Sequence, residues 1–124
     1  MSVLNLMAKG NLMIISKDIM YDFGIEAAVF ISELAEQYEA AHWQNKVKDG
    51  WFCSPIYDVA EDTTLEASHQ NKILKELQHE EILEVKMVGK PAERYIKFDE
   101  RRLSCALGTY ERRFDEDLKG VNNE

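Results

Sequence analysis

The residues best suited to chemistry lie in the second half of the chain. Ser68, His69, Asn71, Lys72 and Lys75 fall close together, and Lys90, Arg94 and Lys97 follow. Lysine and arginine side chains contact phosphates, and an asparagine carboxamide matches the edge of adenine. Their residue types therefore suit a surface that reads double-stranded DNA. The same residues also suit a solvated helix face, since Glu76 stands four positions after Lys72 and can pair with it. Gln70 has adenine-reading chemistry too, but it lies nearer the apolar stripe. His69 and His79 have no third ligand at zinc spacing and fit surface histidines better than metal ligands. Cys53 and Cys105 are far apart and match no metal pattern. Glu80-Glu81 and Asp115-Glu116-Asp117 fit solvated acidic runs. No nucleophile elbow, phosphate loop or catalytic acid pair stands out, so neither an enzyme nor a cofactor is expected.

These side chains need elements to hold them. The spacing of Ala27, Phe30, Ile31, Leu34, Tyr38 and Ala41 predicts a long helix over 25–44, opened by Gly24. Leu12 to Ser16 suits either a strand or a buried lead-in to that helix. Lys48-Asp49-Gly50 is a turn signal, and Trp51-Phe52-Cys53 suits a brief strand. Ser54-Pro55 predicts an N-cap with Pro at the first helical position, then a short helix to about Asp62. Thr63 to Glu66 has the form of a capping box, with the Thr63 hydroxyl and the Glu66 carboxylate closing a second helix. That helix runs to about Glu80, with Ala67, Gln70, Leu74 and Leu77 inward and Ile73 beside them. Ser68, His69, Asn71, Lys72, Lys75 and His79 point elsewhere.

Beyond it the period changes to two. Ile82 to Val88 and Glu93 to Phe98 make a hairpin around Gly89-Lys90-Pro91-Ala92, with Arg94, Ile96 and Phe98 on one face. The hairpin tip carries Lys90, with Arg94 and Lys97 within reach of phosphates. Tyr38, Trp43, Trp51, Phe52 and Tyr95 are expected to fill the core, with His42 at its edge. In the tail, Leu103, Leu107, Tyr110, Phe114 and Leu118 recur at helical spacing, interrupted by Gly108. The expected fold is α+β: a winged helix-turn-helix of three core helices, a C-terminal hairpin wing and a short extra strand. The domain spans 1–98, and 99–124 form an extension.

Residues 49–98 resemble the N-terminal winged-helix domain of replisome-organiser, or replication-initiator, proteins of phages, plasmids and mobile elements of Gram-positive bacteria. The resemblance rests on Gly50-Trp51-Phe52, on Asp58 to Asp62 with Thr63 and Leu65, and on Lys72, Leu74 and Leu77. Its most specific part is the wing segment Gly89, Pro91, Ala92, Arg94 and Tyr95. Residues 24–44 fit that family's first helix more loosely. Thr64 stands where the family usually has Gly, Glu81 stands where Gly commonly ends the second helix, and the helix carries fewer arginines. The resemblance implies double-stranded DNA binding in replication initiation, with a replication protein as a further partner.

Composition frames these expectations. The chain has 124 residues, 45% apolar and 31% charged, enough for one ordinary domain. No apolar run approaches the roughly 20 residues that span a bilayer, and no signal peptide is evident, so a cytoplasmic protein with reduced thiols and no membrane contact is expected. The net charge of −8 opposes bulk coating of nucleic acid. Residues 66–98, however, balance six bases with six acids, while 1–65 carry −6 and 99–124 carry −2. Modest, salt-sensitive DNA binding follows. A transcriptional regulator on the same fold, or a protein-interaction module using the acidic surface, are the alternatives. Homodimerisation through the long helix or the tail fits a protein reading symmetric sites.

Overall fold

The computed structural model describes residues 12–108. In chain order they form α1 (Lys17–Phe23), α2 (Ile25–Trp43), β1 (Trp51–Cys53), α3 (Ile56–Thr63), α4 (Ala67–His79), β2 (Leu83–Val88), β3 (Glu93–Phe98) and α5 (Glu100–Leu107). The fold is α+β, with five helices among the described residues and a small antiparallel sheet of order β1-β3-β2. The hairpin register runs from Leu83 opposite Phe98 to Val88 opposite Glu93. On the other side of β3, Phe52 pairs with Ile96.

Leu12 to Ser16 is not a strand. It leads into α1, whose first turn is capped by Ser16, with its hydroxyl oxygen accepting from the Ile19 N–H at 3.3 Å. The apolar stripe of α2 is buried through Ala27, Ala28, Phe30, Ile31 and Leu34. With Phe52, Val59, Leu77, Leu83 and Ile96 it forms one core joining helices and sheet. Tyr38 packs edge-on against Phe52, ring centroids 5.6 Å apart. Trp43 does not join them: it closes α2 and is 77% exposed. Trp51 and Tyr95 are only half-buried. They flank Phe52 and Ile96 along their strands, so the pleat turns them to the opposite sheet face.

The expected caps around α3 and α4 take different roles. Pro55 is the N-cap of α3, without a side-chain cap bond, and Ser54 is buried in the interior. Thr63 is the last residue of α3. Its hydroxyl donates to the Val59 carbonyl at 2.6 Å and accepts from the Leu65 N–H at 3.1 Å. The oxygen is thus committed to the turn, so the capping box does not form, and Glu66 caps α4 with no side-chain bond. Ala67 is exposed, whereas Gln70, Ile73, Leu74 and Leu77 are buried.

Thr64 and Glu81 both adopt left-handed backbone, at φ 66° and 61°. Each ends a helix. The Thr64 N–H bonds back to the Ala60 carbonyl. At Glu81 the Glu81 N–H reaches Gln78 and the Ile82 N–H reaches Leu77, a Schellman arrangement sealed by the buried Leu77 and Ile82.

The chain beyond 98 remains part of this body. Asp99 donates its N–H to the Ile82 carbonyl at 2.8 Å and caps α5 through the Arg102 N–H at 3.0 Å. Leu103 and Ala106 then pack against the core. The helical spacing through Leu103 and Leu107 is therefore realised in α5. Tyr110, Phe114 and Leu118 lie outside the described residues.

Candidate nucleic-acid interface

Helix α4 sorts its side chains by angle. At about 100° per residue, Ser68, Asn71, Lys72, Lys75 and His79 share an arc of about 100°. Gln70, Ile73, Leu74 and Leu77 occupy the arc directly opposite, and they are the buried ones. Ser68, Asn71, Lys72 and Lys75 are all exposed. His69 is exposed at the flank of this strip, beside Glu76. His79, which the sequence pattern left as a simple surface histidine, extends the strip at the C-terminal end. The strip exists because the core fixes the other side of the helix: α4 packs on α2, α3 and β2.

The basic residues beyond α4 are not gathered in one place. Lys90 is exposed in the turn that joins β2 to β3. Lys97 sits four residues after Glu93, the first residue of β3, opposite Glu84 and Trp51 near the base of the hairpin. Its stem lies across Gly50 rather than towards the tip.

Arg94 leaves the set of contact candidates. It is only 3% exposed. Its Nε donates to the Ser54 carbonyl at 2.7 Å, Nη1 to Gln70 Oε1 at 2.9 Å and Nη2 to Ser54 Oγ at 3.3 Å. The guanidinium carbon also lies 5.8 Å from the centre of the Phe30 ring. Burial lowers the guanidinium to about 10, so it stays charged at neutral pH. The physical reason lies in the strand period: Arg94 shares the face of Ile96 and Phe98, which the core covers. A buried arginine is tolerated only when its donors are satisfied, and here three carbonyl, amide and hydroxyl acceptors meet it.

Those acceptors belong to a longer buried chain of polar groups. Gln70 Nε2 donates to the carbonyls of Ile56 at 3.1 Å and Leu65 at 2.8 Å, tying α4 to the first residue of α3 and to the turn that follows it. Ser54 Oγ donates to Gln37 Oε1 at 2.5 Å, and Gln37 Nε2 donates to Glu33 Oε1 at 3.3 Å. Every buried side-chain polar atom among the described residues has a partner. The chain joins α2, the β1–α3 connection, β3 and α4, so it fixes where α4 stands relative to the hairpin. Glu33 sits at its far end, 3% exposed. Its carboxyl is pushed up to about 7, first by burial, then by the hydrogen bond and charge of Asp62, then by the charge of Glu36.

With Arg94 inside, residues 66–98 offer five lysines against six glutamates to solvent. The strip itself still carries Lys72 and Lys75 with Ser68 and Asn71. A further cation, Lys86, was not singled out by the sequence pattern; its Nζ lies 4.1 Å from the centre of the Trp51 ring. The alternation of β2 places it on the outer face, and the brief β1 strand brings Trp51 beneath it.

Among the described residues no group of three or more His, Cys, Asp or Glu side chains could hold a metal ion. No helix among them is long and apolar enough to cross a membrane. Cys53 is half-buried on β1; burial and then the charge and hydrogen bond of Glu93 push its thiol up. Comparisons with protein-family profiles, with curated proteins and with solved structures returned no match.

Proposed function

We propose that this protein is a winged helix-turn-helix module that binds double-stranded DNA, in the manner of the replication initiators its sequence resembles. Helices α3 and α4 form the helix-turn-helix pair, and β2 and β3 form the wing. One observation carries the reading: the strip of Ser68, Asn71, Lys72 and Lys75 lies directly opposite the buried stripe of α4. A helix held in this way can enter a major groove with its polar side leading. In this reading Asn71 meets base edges, Lys72 and Lys75 meet bases or phosphates, Ser68 and His69 contact the groove walls, and Lys90 reaches a phosphate from the wing. Lys97, at the base of the hairpin, contributes only long-range charge. Its place in replication initiation, a replication-protein partner, a homodimer and a cytoplasmic location belong to the same proposal.

Fluorescence anisotropy with duplex DNA tests it. Two or three phosphate contacts give a log–log salt slope of about −2 to −3. Binding that is absent at low salt, or unchanged by Lys72→Glu with Lys75→Glu, refutes it. A second reading, a protein-interaction module, is favoured by the exposed Trp43 and Tyr57 rings, 77% and 74% accessible. It is distinguished by partner capture that survives those two charge reversals and fails on replacing Trp43 or Tyr57 by Ala.

A further inference from the structure

A groove of ≈ 880 Å³ runs between the C-terminal end of α2 and the sheet face turned away from the core. Its size is that of an ordinary ligand site, which spans about 300–1,000 Å³. It shares no residue with the α4 strip. Trp51 and Tyr95 supply aromatic surface on one wall, and Gln44 and Asn45 supply carboxamides on the other. Lys46, Lys48 and Lys86 bring three exposed ammonium groups, against Asp49 and Asp58. Glu93, on the Tyr95 face of β3 and hydrogen-bonded to Cys53, adds a third carboxylate, so lysines and acids balance at the groove in a chain of net charge −8.

The arrangement within it is specific. Tyr95 lies between Cys53 and Lys86 in the sheet register. Lys86 holds its ammonium 4.1 Å from the centre of the Trp51 ring, so cation and aromatic ring are presented together. Aromatic faces stack bases, carboxamides pair with base edges, and lysines neutralise phosphates. One ligand class uses all three at once.

We infer that this groove binds an unpaired nucleotide, with its base against Trp51 and Tyr95 and its phosphate among Lys46, Lys48 and Lys86. The nucleotide is either free or part of a single strand. The inference does not depend on duplex binding by α4.

Trp51 is its own probe. In a Trp43→Phe chain, tryptophan emission reports on Trp51, and alkylation of Cys53, with Cys105 as internal reference, reports on cover of the groove floor. The chain is titrated with a short oligothymidylate, with thymidine monophosphate and with a duplex of equal length. The expected result is saturable quenching and protection of Cys53 by the oligothymidylate, stronger than by the duplex. Lys48→Glu with Lys86→Glu weakens it at least tenfold. Lys46→Glu alone gives a smaller loss if the double variant fails to keep its circular-dichroism spectrum. Equal binding of the mononucleotide assigns the free nucleotide, and tighter binding of the oligomer assigns the single strand. No quenching and no protection at millimolar ligand overturns the inference. A response abolished by Lys72→Glu with Lys75→Glu, but untouched at Lys48 and Lys86, overturns it in favour of α4.

Discussion

Replacing Glu33 with Gln removes a titration that weakens the fold near neutral pH. Glu33 stands on α2, 3% exposed, and its carboxyl is pushed up from the ordinary 4.5 to about 7. Burial is the largest cause, followed by the hydrogen bond and charge of Asp62 on α3; the hydrogen bond from Gln37 works in the opposite direction. The folded state therefore holds this proton more tightly than the unfolded chain. The stabilisation is complete below about 4.5, falls as pH rises through the window, and is gone above about 7. At about 1.4 kcal/mol for each tenfold change in proton affinity, the move from 4.5 to about 7 corresponds to about 3 kcal/mol. Gln has nearly the same shape. Its Oε1 still accepts from Gln37, and its amide donates at every pH what only the neutral carboxyl donates. Urea unfolding followed by circular dichroism from acid to mildly alkaline pH, at constant ionic strength, measures the effect. Wild type and Glu33→Gln should be nearly equal in stability at the acid end and diverge through neutrality, with the variant more stable by about 2–3 kcal/mol at the alkaline end. Titrating groups that do not touch Glu33 are common to both proteins and cancel in the difference, so the divergence reports on Glu33 together with its partner Asp62. Parallel pH profiles, or a variant less stable above neutrality, refute the reasoning.

Other perturbations follow from single features of the structure. Thr64→Gly and Glu81→Gly relieve left-handed backbone at two helix ends. Each should raise stability in thermal melts by about 0.5–1 kcal/mol, and loss of the exposed 2.9 Å Glu81–Arg102 pair should cost little. Arg94→Met leaves the Ser54 carbonyl and Gln70 Oε1 without their donor. A loss of about 3 kcal/mol in urea unfolding is expected, with duplex affinity unchanged wherever the variant is folded. Gly50→Ala forces a Cβ to 3.1 Å from Lys97 Cε at φ 86° and should lower the melting midpoint by the equivalent of about 1–2 kcal/mol. Lys72→Glu with Lys75→Glu should abolish duplex binding at low salt without shifting that midpoint, because both side chains are exposed.

The period of the apolar residues by itself determined α2, α4 and the hairpin. Spacings of three and four, or of two, state which side of an element must be covered, and that requirement is local. The same patterns placed Ser68, Asn71, Lys72 and Lys75 outward and Gln70 inward. The alternation of Arg94 with Ile96 and Phe98 already marked it as inward-facing, although its charge suggested a phosphate contact. What covers each side was decided only in three dimensions. Ser54 and Thr63 are good caps in isolation, yet Arg94 claims the first and the α3 turn claims the second. Trp43 is as apolar as any core residue, but at the C-terminal end of α2 it is left exposed. Glu33 is an ordinary helical glutamate until α3 brings Asp62 beside it. The groove around Trp51 and Lys86 joins residues from two helices, a loop and three strands. Such partners are distant in sequence, and no local period records which of them the folded chain brings together.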